Sequence, residues 1–216
     1  SQLAVAGSPI LYGIADTDND GIPDWADLLT LSPASPSVAA GDLLTMTLLR
    51  SAADLSARTV NLTNASPAAY TAPNTVIFPV GAASVTFDII GKLPSNGLLR
   101  ASFAGVSTNI AYSEQLVTVV NPTLSFSPNP ALMVINGVQD VVISRPGDQA
   151  DAELTVQLVS GDPNLFSVNP ASVTMTQGVA SATCTLNAFA GGSDNLTASV
   201  GSYSTNLPVI VSQASL

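Results

Sequence analysis

Apolar and small polar residues alternate through most of this chain in short runs, each bounded by Pro, Gly, Asn or Asp. Period-two alternation between turn formers is the signature of strands with one buried face. In the first half the pattern predicts strands near Leu44 to Leu49, Thr59 to Leu62, Thr75 to Phe78, Ser84 to Ile90, Leu98 to Phe103 and Leu116 to Val120. In the second half it predicts strands near Asp140 to Ser144, Glu153 to Leu158, Ser172 to Thr176, Ser181 to Asn187, Asn195 to Val200 and Leu207 to Val211. No stretch has the helical period, and none approaches the ~20 consecutive apolar residues that cross a bilayer as a helix.

The two halves repeat each other at an interval of about a hundred residues, the size of a tandem domain rather than of a solenoid unit. Thr59-Val60-Asn61-Leu62 matches Thr155-Val156-Gln157-Leu158, and Pro67 and Tyr70 match Pro163 and Phe166 at the same spacing. Ser107-Thr108-Asn109-Ile110 then matches Ser204-Thr205-Asn206-Leu207 after one inserted residue, and Leu29-Thr30-Leu31-Ser32-Pro33 echoes Leu124-Ser125-Phe126-Ser127-Pro128. The expected fold is all-β, with two tandem β-sandwiches over residues 28–121 and 122–216, divided where Pro122 ends a strand. Residues 28–216 resemble the tandem immunoglobulin-like modules of bacterial surface and secreted proteins, without the Cys, Trp, Cys core of antibody domains, since the one tryptophan is Trp25.

Composition supports this and narrows the function. Lys92 is the only lysine and Glu114 and Glu153 the only glutamates, so strong helix formers for a surface are missing. Charged residues make up 9% of the chain against about a quarter in ordinary soluble domains. That scarcity fits a surface covered by other subunits, or an uncharged Ser/Thr/Asn surface suited to an extracellular setting. A formal charge of −10 disfavours nucleic acid and anionic lipid as partners. Cys184, the only cysteine, excludes an intrachain disulfide and is expected to be buried in its strand beside Ala182 and Leu186. The chain opens at Ser1 with no basic leader, as a mature chain would after removal of a secretory signal.

The charge that exists is concentrated. Asp16, Asp18, Asp20, Asp24 and Asp27 fall in the run Asp16-Thr17-Asp18-Asn19-Asp20-Gly21-Ile22-Pro23-Asp24-Trp25-Ala26-Asp27. Carboxylates at positions 1, 3 and 5, a turn-forming glycine at 6, a carbonyl at 7 and acids at 9 and 12 let a short loop surround Ca2+ with oxygens. Asp16, Asp18, Asp20, Ile22 through its carbonyl, Asp24 and Asp27 are therefore the candidate ligands, and calcium the expected cofactor. The twelve residues resemble a thrombospondin type 3 calcium repeat. They differ from an EF-hand in closing with Asp rather than Glu and in lacking a good entering helix, and a dockerin would need a second loop.

Catalytic chemistry finds no foothold. The chain has no histidine, which removes Ser/His/Asp and Cys/His constellations and the usual general base. A glycosidase would need two placed acids beside a cleft with aromatic platforms, whereas aromatics are only 5% of the chain and Asp42, Asp54, Asp140, Asp148 and Asp162 sit among turn formers. Asn61, Asn64 and Asn195 head glycosylation sequons that arise readily in such a composition. Lys92 follows Asp88 by four residues, and a solvated strand-end lysine is a simpler reading than an isopeptide bond of the kind some bacterial immunoglobulin-like domains carry.

Residues 1–27 are not needed by either sandwich, and they alternate too. Leu3 and Val5, then Ile10, Tyr12 and Ile14, give an apolar arm ahead of the calcium loop. An apolar alternating strand needs a partner edge, which it finds either by folding back as the first strand of its own domain or by strand addition to a neighbour. The expectation is a calcium-stabilised structural subunit of an extracellular or cell-surface filament, joined to other copies of itself through Leu3, Val5, Ile10, Tyr12 and Ile14. The alternative is a monomeric adhesive or spacer module that binds a surface protein or glycan through loops such as Asn64 to Asn74 or Ser160 to Asn169.

Overall fold

A computed structural model of the chain describes residues 29–50, 56–105 and 112–213. Its first sandwich pairs two sheets. One has the order β1 (Leu29–Ser32), β3 (Leu43–Arg50), β7 (Ser84–Gly91), β5 (Tyr70–Thr71). The other runs β2 (Ser37–Ala39), β9 (Tyr112–Val120), β8 (Ser95–Phe103), β4 (Arg58–Asn64), β6 (Thr75–Phe78). The second sandwich repeats the scheme: β10 (Ser125–Ser127), β12 (Val138–Ser144), β16 (Ser181–Ala188), β14 (Phe166–Asn169) form one sheet. Its other sheet is β11 (Ala131–Val134), β18 (Tyr203–Ser212), β17 (Gly192–Val200), β13 (Leu154–Ser160), β15 (Ser172–Met175). In both, the leading strand is split between the sheets, and its second part pairs in parallel with the last strand, β2 with β9 and β11 with β18. This is the Greek-key order of an immunoglobulin-like sandwich.

The alternation read from the sequence is the alternation of burial. Met46 and Leu48 on β3, Phe87 and Ile89 on β7, and Leu99, Ala101 and Phe103 on β8 point inward in the first sandwich. Val141 and Ile143, Cys184 and Leu186, and Leu196 and Ala198 do the same in the second. Cys184 is buried, and burial pushes its thiol up to about 11. At neutral pH it is therefore a packed apolar group and not a nucleophile.

Twelve strands lie where the alternation predicts them, with ends shifted by a few residues. The other six, β1, β2, β5, β10, β11 and β14, are short edge strands of two to four residues. Two expectations change as a result. The stretches Asn64 to Asn74 and Ser160 to Asn169 are not simple loops, because each contains an edge strand that buries a large ring, Tyr70 in β5 and Phe166 in β14. Asp140 is not a turn residue: it lies on β12 opposite Thr185 and accepts a 2.7 Å bond from that hydroxyl. The first sandwich makes the same cross-strand pair with the partners exchanged, Thr45 donating to Asp88 at 2.7 Å.

Candidate functional site

All of the candidate ligands, Asp16, Asp18, Asp20, Ile22, Asp24 and Asp27, and all of the candidate arm contacts, Leu3, Val5, Ile10, Tyr12 and Ile14, lie outside the described residues. What the described residues do show is where that segment joins. Residue 28 leads into β1, whose first residue Leu29 is paired with Arg50 at one end of the first sandwich. The opposite end of that sandwich, where Gly41 turns the chain into β3, meets the second sandwich.

This meeting is built around Arg145, which follows β12 and is only 4% exposed. Its Nη1 donates to the Gly41 carbonyl at 3.0 Å, and the Ala152 amide donates to the same oxygen at 3.0 Å. Its Nε and Nη2 donate to the carbonyls of Val179, Thr176 and Met175, tying the guanidinium to its own sandwich. One cation therefore joins four carbonyls from two modules, a use that suits the planar five-donor fork of arginine and not lysine. Burial lowers the Arg145 pKa, and the nearby carboxylates Asp42 and Asp151 oppose that effect. Burial likewise raises the Asp42 pKa, with Asp151 and Asp148 adding to the rise and the Leu43 amide bond opposing it.

Sequence reasoning passed over Arg145. A signal existed, since Arg50 ends β3 as Arg145 follows β12, and its Nε donates to the Ala82 carbonyl at 2.9 Å as that of Arg145 does to Val179 at 3.1 Å. In a chain with only five basic residues, two at matching places in the repeat mark a shared structural need. Lys92, by contrast, is exposed and reaches only the Pro67 carbonyl at 3.4 Å. Arg100 pairs with Glu114 and lies over the Tyr112 ring at 4.3 Å.

Several grooves open on the described surface, three of which border the strands and the joint described above. The first, of about 450 Å3, lies between β11 and β12 and is lined by Leu132, Val134, Gly137, Val138, Gln139 and Ser212 beside Met133. A second, of about 720 Å3, is bordered by Asn61, Thr63, Asn64, Pro67, Thr71 and Asn74 with Tyr70 at its base. The third, of about 570 Å3, runs beside the joint and carries Lys92, Asp151 and Glu153. Among the described residues no group of three or more His, Cys, Asp or Glu side chains is placed to hold a metal ion. Nor does any described helix have the length and apolarity to cross a membrane.

No family model matches the sequence, and no curated protein matches it. Among solved structures, the chain is similar to domains 1–6 of the surface layer protein SbsC, at 15% identity over 87% of this chain and 28% of that one, with a TM-score of 0.37. It is also similar to the adhesin InvE of Yersinia pseudotuberculosis, at 13% identity over 87% of this chain and 59% of that one, with a TM-score of 0.45. The I9-I11 tandem from titin gives 7% identity, coverage of 86% and 66%, and a TM-score of 0.38. The chain thus spans less than two thirds of SbsC domains 1–6 or of InvE.

Proposed function

We propose that this protein is a structural subunit of an extracellular or cell-surface assembly, in which residues 1–14 of one copy add as a strand to the next and calcium at Asp16 to Asp27 braces the connection. The observation that carries this reading is the character of the described surface. Val80, Val138, Leu132, Ile77 and Val159 are between 59% and 79% exposed in a chain where charged residues are only 9%. Ile77 and Leu132 stand on edge strands β6 and β11 and Val138 at the start of β12 that β10 leaves uncovered, and large apolar groups exposed at strand edges mark contact surfaces. Strand addition suits them, because main-chain hydrogen bonds supply the join and alternate apolar side chains fill the gaps between edge residues. A contact that joins one end of a subunit to a different end of the next does not close on itself and propagates as a filament. Calcium then acts as a structural ion, neutralising acids that would otherwise repel one another. Deleting residues 1–14 is expected to leave a folded monomer with an unchanged melting temperature and no polymers by negative-stain imaging. Polymers that survive the deletion contradict the reading.

A second reading, a monomeric adhesive module, is favoured by the groove over Tyr70. Its rim of Asn61, Thr63, Asn64 and Asn74 offers amide and hydroxyl groups of the kind that bind sugar hydroxyls. It predicts saturable glycan binding by a protein that stays monomeric at every concentration.

A further inference from the structure

We infer that the slot between β11 and β12, at the end of the second sandwich that faces away from the joint, receives an extended strand from residues 1–14 of a second copy. The inference rests on the strand-addition reading above and names its acceptor.

The slot exists because the leading strand of the second sandwich is split. β10 covers only Val142 to Ser144 of β12, whereas β16 pairs with β12 over its whole length from Val138. Among the described residues, 138–141 of β12 therefore have a strand on one side only. Alternate residues of this stretch turn their N–H and C=O groups away from β16, where no described strand meets them. β11 stands across the slot, paired on one side with β18 and unpaired on the other. Two strand edges thus flank one groove, which is the backbone arrangement an added strand requires.

The side chains agree with the backbone. Leu132 is 65% and Val138 66% exposed, and Val134 beside them is also exposed. The residues that line the groove carry no charge, Asp140 on the same stretch of β12 is exposed and held by the Thr185 hydroxyl, and the side chains of residues 1–14 are uncharged, so entry strips no ionic hydration shell from the groove lining. Gln139 lines the same slot, and its Oε1 is closed off from solvent without a hydrogen-bond donor. A buried amide oxygen lacking a donor is costly, and it marks a polar group at the slot that the described residues leave unsatisfied.

The first sandwich shows why the slot belongs to the second. There too β1 covers only Thr47 to Arg50 and leaves the start of β3 uncovered. That end is already taken, since Gly41 accepts from Arg145 and Ala152, and the groove beside it carries Asp151, Glu153 and Lys92. An apolar strand entering there would desolvate three charges.

The occupant is a second copy and not the same one. Leu29 and the slot lie at the two ends that face away from the joint, with β3 and β12 between them, two strands that laid end to end measure about 50 Å at ~3.3 Å per residue. Residues 15–28 stretched to the limit span about the same distance. Curling residues 16–27 around an ion removes most of that reach.

Full-length Leu132→Glu and Val138→Glu proteins test the slot, because both side chains are exposed and the fold does not need them. Each is expected to keep its melting temperature and to raise the concentration at which polymers form by at least about tenfold. A Val138→Cys protein carrying a photoreactive thiol label supplies a second readout, since buried Cys184 does not compete for the reagent. Mixed with an isotope-labelled copy, it should cross-link to a peptide from residues 1–14 of that copy, and this readout decides alone if the glutamate variants fail to fold. Polymers that need residues 1–14 but ignore both glutamates and give no such cross-link overturn the slot while leaving strand addition standing. A wild-type protein that stays monomeric at every calcium concentration overturns both.

Discussion

At the scale of single residues, the repeat supplies its own controls. Tyr70 and Phe166 occupy matching edge strands and are both fully buried, yet the Tyr70 hydroxyl has no hydrogen-bond partner among the described residues. Burial alone pushes that phenol up to about 12. An unpartnered buried hydroxyl costs about 1–3 kcal/mol of desolvation, and the second sandwich shows that phenylalanine fits the position. Tyr70→Phe is therefore expected to leave stability unchanged or raise it by about 1 kcal/mol in urea denaturation. A loss of more than about 1 kcal/mol would mean that the hydroxyl has a partner. The pairing of Tyr70 with Phe166 was legible in the sequence. The missing partner was not, because hydrogen bonding to a core hydroxyl depends on side chains that meet only after the two sheets pack.

Among the elements, the long central strands were legible and the short edges were not. A strand such as β7 or β16 carries enough alternation to be recognised, whereas β1, β2, β5, β10, β11 and β14 carry only one or two inward residues each. These edges define the grooves, so the surfaces with functional interest were hidden in the least periodic segments. The joint was hidden for a different reason, since it rests on a turn. Gly41 has φ +84, and a Cβ there would stand 2.7 Å from Arg145 Nη1 and 2.9 Å from Leu154 Cβ. Gly81 has nearly the same φ of +83 with nothing within 4 Å. Both Gly→Ala changes incur the conformational cost of about 1–2 kcal/mol, and only Gly41→Ala also displaces the arginine. Thermal unfolding should place Gly41→Ala clearly below Gly81→Ala, and equal midpoints would contradict a packed joint.

Across the whole molecule, the two sandwiches differ less in their cores than in what covers their ends. The first has its Gly41 end closed by Arg145 and receives residues 1–28 at the other. The second has one end in the joint and leaves Leu132, Val134 and Val138 open at the other. A duplicated module with one end left open among the described residues, and an arm of uncharged side chains at residues 1–14 ahead of the opposite end in sequence, has the polarity of a head-to-tail chain. The candidate calcium ligands, proposed from carboxylate spacing alone, lie outside the described residues and stand between the arm and the first sandwich in sequence. The most direct test is sedimentation velocity of the full-length protein over a range of concentrations, in calcium and again after chelation. The account predicts polymers whose length grows with concentration in calcium and a return to folded monomer after chelation. A single monomeric species in calcium at every concentration would contradict it.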